Sequence, residues 1–93
     1  MGKLQEVMTK MLTNPYYSNH HEARDTMCEI CRAILNDDFY DAVHIVSDKV
    51  KSIEPSGLYV PEWQIRQYQE FVELSKAISD VFVARMEATY GIE

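Results

Sequence analysis

In the stretch DDFYDAVHIVSD, residues 37 to 48, Asp41, His44 and Asp48 stand three and four residues apart. An imidazole between two carboxylates is the raw material of general acid–base catalysis, or of a metal site. Three and four are also the spacings that put residues on one face of a helix. With Phe39 at the centre of the apolar direction, Phe39, Ala42, Val43, Val46, Val50 and Ile53 make one stripe. Asp41, His44, Asp48 and Lys51 then form a row on the opposite, outward side. A base on a convex helix face lacks the concave, partly dry pocket that catalysis needs. A small hydrolase using His44 is therefore the remote reading, and no catalytic residue is assigned.

Two further groups have reactive side chains. Cys28 and Cys31 form a C-x-x-C pair, with Glu29 between them. A structural zinc site needs four ligands. In a continuous helix His20 and His21 lie seven to eleven residues upstream of the cysteines, about 10–16 Å along the axis. A redox pair belongs at a helix N-terminus, where the dipole lowers the thiol pKa. Here the pair falls mid-helix, so both cysteines are expected to be buried, reduced thiols. The run YYSNHH, residues 16 to 21, places two tyrosines and two histidines at a loop–helix junction, where they are expected to cover the end of the fold. No metal or cofactor is expected.

These residues are positioned by helices. Apolar periodicity near 3.6 predicts a small all-α four-helix bundle, with helices at about 3–13, 20–36, 38–53 and 61–90 in one domain, 1–93. Leu4, Val7, Met8, Met11 and Leu12 form the first stripe, which Asn14-Pro15 ends. PYYSN is read as a connection. Asn19 is expected to cap the second helix. Its inner face is Ala23, Met27, Ile30, Cys31, Ile34 and Leu35, with Asn36 at its exit. Asp37 or Asp38 caps the third. Pro61 opens the long fourth helix and Gly91 closes it. That last helix is apolar over almost half its circumference, wider than one neighbour requires. Either three helices cover it or a second copy does, with Trp63, Tyr68, Phe71, Phe82 and Val83 as oligomer contacts.

Nine basic and fifteen acidic residues leave a net charge of −6. That disfavours direct binding to nucleic acid, which needs an excess of Lys and Arg, and suits a protein partner with a basic surface. The acid is concentrated: Glu22 to Asp48 holds seven carboxylates and two arginines. No run approaches the ~20 apolar residues of a membrane span. The amphipathic start MGKLQEVMTK is not read as a signal peptide, so a cytoplasmic protein is expected.

The segment DDFYDAVHIVSDKV resembles the acidic helix of phage antirestriction proteins that mimic DNA, with the pattern D-D-x-x-D-A-[IV]-H-x-x-x-D. Asp37, Asp38, Asp41, Ala42, His44 and Asp48 match it, within residues 37 to 50. The resemblance implies a phage or mobile-element protein acting in the host cytoplasm, whose carboxylates stand in for phosphates and block a host DNA-binding defence enzyme. The expectation is a non-enzymatic inhibitor or regulator with Asp37, Asp38, Asp41, His44, Asp48, Glu22, Asp25 and Glu29 as its partner-binding surface. An oligomeric scaffold built on the long last helix, and an antitoxin or immunity protein, are the alternatives.

Overall fold

A computed structural model describes residues 2–57 and 59–90. It contains five helices: α1 Gly2–Leu12, α2 Pro15–Asn19, α3 His21–Leu35, α4 Phe39–Ser52 and α5 Glu62–Tyr90. The described residues contain no strand. The fold is all-α, and the helix beyond the expected four is α2. The expected cap at Gly91 lies outside the described residues.

The same dipeptide ends α1 and begins α2. Asn14 is extended, with ψ 120°, as a residue before proline must be. Its Oδ1 accepts from the Tyr16 amide at 3.0 Å, and Pro15 takes the first helical turn, where no amide donor is needed. PYYSN is thus a helix and not a connection. Five residues are too few to show a period, so the pattern could not reveal it. Asn19 is the last residue of α2, and the cap of α3 is His20, whose Nδ1 accepts from the Ala23 amide at 3.4 Å.

The turn from α3 to α4 is made by acids. Asn36 leaves the helix near its normal geometry, and Asp37 adopts φ 60°. The Asp37 and Asp38 amides then return to the carbonyls of Ile34 and Ala33, at 3.0 and 2.8 Å. Glycine usually fills such a left-handed position, and aspartate is among the few side chains that tolerate it. Asp38 caps α4, its Oδ1 accepting from the Asp41 amide at 3.0 Å. Asp37 pairs with Arg85 of α5, whose guanidinium also lies 4.5 Å from the centre of the Phe39 ring. One arginine therefore ties this turn to the far part of α5.

The core joins Leu4, Val7 and Met11 of α1, Ala23, Met27 and Ile30 of α3, Ala42 and Val46 of α4, and Phe71, Leu74 and Ile78 of α5. The main neighbours of α5 are α4 and α1, while α3 lies on α4 and α2. Helices α4 and α1 chiefly cover the long one, and the tyrosines of α2 pack against its Gln67 to Phe71 stretch. Phe71 has no exposed surface, which removes it from the oligomer contacts. Trp63 turns toward Tyr16, ring centres 6.4 Å apart. Leu12 and Leu35, expected inside, are exposed at the ends of their helices. No helix among the described residues is long and apolar enough to cross a membrane.

Candidate functional site

Helix α3 places Glu22, Asp25 and Glu29 along one side, at spacings of three and four. Helix α4 faces it with Asp41, Ile45, Asp48 and Ser52, at four, three and four. Packing α3 on α4 sets the two rows on either side of an open groove. Glu22, Asp25, Thr26 and Glu29 line one wall, and Ile45, Asp48, Lys49 and Ser52 the other, around a volume of 530 Å³. A second hollow of 320 Å³ continues from it, lined by Glu29, Arg32, Ala33, Asn36, Asp38, Asp41 and Ile45. Glu29 and Ile45 belong to both, so the two form one channel with an apolar point in its floor.

Five of the six carboxylates of this channel are unengaged; the sixth, Asp38, caps α4. Among the described residues, no side-chain hydrogen bond or ion pair occupies Glu22, Asp25, Glu29, Asp41 or Asp48. The ion pairs lie elsewhere: Lys3 with Glu73, Arg66 with Glu62, and Arg85 with Asp37. Lys49 borders the groove, but its ammonium lies 5.9 Å from the centre of the buried Phe71 ring, drawn toward the core. Four carboxylates thus share the first hollow with one partly withdrawn cation. Unpaired like charges gathered along one open groove give that face a negative potential.

The Asp41–His44–Asp48 row does not survive as a unit. Asp41 and Asp48 line the channel. His44 lies on the other flank of α4, its ring edge-on to Tyr40 with centres 4.5 Å apart. Tyr40 in turn lies 6.2 Å from Phe82 of α5. Of the expected surface, Glu22, Asp25, Glu29, Asp38, Asp41 and Asp48 come together. His44 and Asp37 do not, the latter being held by Arg85. Among the described residues no group of three His, Cys, Asp or Glu side chains is placed to hold a metal. Ile45, Lys49 and Arg32 were missed in the sequence. Their signal was positional, because Ile45 falls four after Asp41 and three before Asp48, an apolar residue inside a polar row.

Family models, curated proteins and solved structures contain no match to this chain.

The cysteines differ from expectation in one respect. Cys28 is exposed, and Cys31 is half-buried. Burial, with a smaller contribution from Cys28, pushes the Cys31 thiol above its usual range. That favours the thiol over the reactive thiolate.

Polar groups are handled differently where α2 meets α5. Tyr17 is 4% exposed, and its hydroxyl donates to the Glu70 carboxylate. Its ring stands edge-on to Phe71, centres 6.0 Å apart. Burial, and then the bond to Glu70, drives the Tyr17 hydroxyl far above its usual value of 10. Tyr16 donates to Gln67 Oε1 at 3.3 Å and stacks on His20, centres 5.1 Å apart. The Gln67 amide nitrogen, buried here, has no partner among the described residues.

Proposed function

We propose that the protein is a non-enzymatic binding module whose α3–α4 channel receives the basic surface of a protein partner, and thereby inhibits or regulates it. The observation that carries this reading is the convergence of Glu22, Asp25, Glu29, Asp41 and Asp48, from two helices, on one open channel without internal partners. Carboxylates that serve the fold are paired or act as caps, as Asp37 and Asp38 are. These five do neither; Glu22 and Asp41 sit in the first turns of α3 and α4, where their charge favours the helix dipole, but Asp25, Glu29 and Asp48 have no such role.

The floor adds a preference. Half-buried Ile45 offers apolar surface between the carboxylates. Arginine and lysine suit such a surface, since their stems lie on apolar atoms while their heads reach charge. An arginine fork can further take a carboxylate in a bidentate pair. The resemblance of residues 37 to 50 to DNA-mimicking antirestriction proteins narrows the partner class to an enzyme with a basic, DNA-binding surface. In that reading the channel carboxylates occupy the place of backbone phosphates.

The test starts with capture of partners from a bacterial lysate at low salt and their release at high salt. Association rates with the captured protein are then measured for the wild type and for the double variant Asp41→Lys, Asp48→Lys. The double reversal is expected to slow association at least about tenfold at low ionic strength and to flatten its salt dependence. His44→Ala is expected to leave the rate unchanged, since His44 faces away from the channel. Equal rates for wild type and double variant, both folded, refute the reading. Loss of function in His44→Ala alone would move the site to the other flank of α4.

A further inference from the structure

Helix α5 carries two stripes of seven-residue spacing: one is buried inside the chain, and the other is covered only in part, where Phe82 packs against the core and lies near Tyr40. The inner stripe, Gln67, Phe71, Leu74, Ile78 and Val81, faces the core. The outer stripe runs Ile65, Tyr68, Val72, Ser75, Ser79, Phe82 and Met86, alternating steps of three and four over the length of the helix. Ile65, Val72 and Met86 remain 39%, 40% and 42% exposed, and Val83 beside them 50%. Tyr68, Ser75, Ser79 and Phe82 are half-buried. None of the seven stripe residues is charged.

We propose that this outer stripe packs against the same stripe of a second copy of the chain, forming a weak, reversible dimer. A repeat of three and four residues is the spacing at which two helices interlock side chains along a common seam. A second copy offers that spacing over the same length, three heptads or about 32 Å at 1.5 Å per residue. The free surface of the stripe and Val83 is on the order of 500 Å² per chain, so a pair would bury at most on the order of 1,000 Å² in total, at the lower edge of specific interfaces. That area suits a dimer that dissociates on dilution. The acidic channel contains no α5 residue, so both channels of the dimer stay open. Of the contacts expected from the sequence, Tyr68, Phe82 and Val83 lie on or beside this seam, whereas Phe71 and Trp63 do not.

The net charge of −6 also sets the sign of the salt effect. Two acidic copies repel, and salt screens that repulsion while leaving apolar packing intact. Dimerisation therefore strengthens with salt, opposite to capture of a basic partner by the channel.

Sedimentation equilibrium of the full chain, from about 10 µM to about 1 mM, brackets a Kd in this weak range. The mass is expected to rise from 10.8 kDa toward twice that value, and to rise further at higher salt. Val72→Glu, with a charge in mid-seam, is expected to stay at 10.8 kDa throughout with its helical circular dichroism retained. Met86→Glu, beyond the buried part of α5, provides the same test at a site that the core does not need, and is also expected to stay monomeric. Gln69→Glu, exposed and off the seam, is expected to dimerise like the wild type. A wild type that remains monomeric across the range overturns the proposal. So does a Met86→Glu variant that dimerises as well as the wild type.

Discussion

The α2–α5 junction and the α3–α4 channel are both rich in polar side chains, and they use them in opposite ways. At the junction, Tyr17 reaches Glu70 and Tyr16 reaches Gln67, across 53 and 51 residues of sequence. In the channel, five carboxylates face solvent with no partner among the described residues. The junction is buried at Tyr17 and Gln67, where an unmade hydrogen bond costs about 1–3 kcal/mol, so most of its groups pair. The channel is wet, so its charges can stay free at little cost. Polarity at the junction serves the fold, and polarity in the channel is left over for something outside it.

Tyr17 gives the largest expected effect on the junction side. Tyr17→Ala removes a buried ring against Phe71 and should cost about 3 to 5 kcal/mol of stability by denaturant unfolding. Tyr17→Phe keeps the ring and isolates the hydroxyl. Because the folded Tyr17 holds its proton above the unfolded value of 10, the unfolded chain ionises first. The stabilisation is therefore fully present below pH 10 and declines as pH rises above it. Tyr17→Phe is expected to flatten that alkaline decline, and an unchanged slope would show that the hydroxyl does not contribute to it.

A smaller effect is expected at Gln67. Its amide nitrogen is buried without a partner, so Gln67→Met, which keeps the shape and removes the orphan, should raise stability by about 1 kcal/mol. Tyr16 is only partly buried and can turn its hydroxyl to water. A drop in the unfolding midpoint for Gln67→Met would show that the junction depends on that amide.

The channel should give the smallest change in stability, and with the sign reversed. Asp48→Lys relieves crowding among Glu22, Asp25, Glu29 and Asp48, so thermal unfolding should shift upward by a few tenths of a kcal/mol. Stability gained where binding is lost marks residues kept for function. A clear loss of stability in Asp48→Lys would instead make the channel carboxylates structural.

The sequence by itself determined what is local. Apolar spacing located α1, α3, α4 and α5 to within a few residues, because each helix hides one stripe whatever its neighbours are. The steps of three and four between Glu22, Asp25 and Glu29, and the seven between Asp41 and Asp48, likewise placed each set on one face of its own helix. Only the tertiary structure decided what those faces meet. A wheel around α4 divides inside from outside, but α4 has two neighbours, so its outside has two flanks. Asp41 and Asp48 therefore fell toward α3, while His44 fell with Tyr40 toward the α5 flank. The left-handed Asp37 is held by Arg85, 48 residues away, and no local spacing encodes a contact at that separation. Periodicity sets which way a side chain points from its own axis; the docking of one helix on another sets whether it points at a partner, at the core or at water.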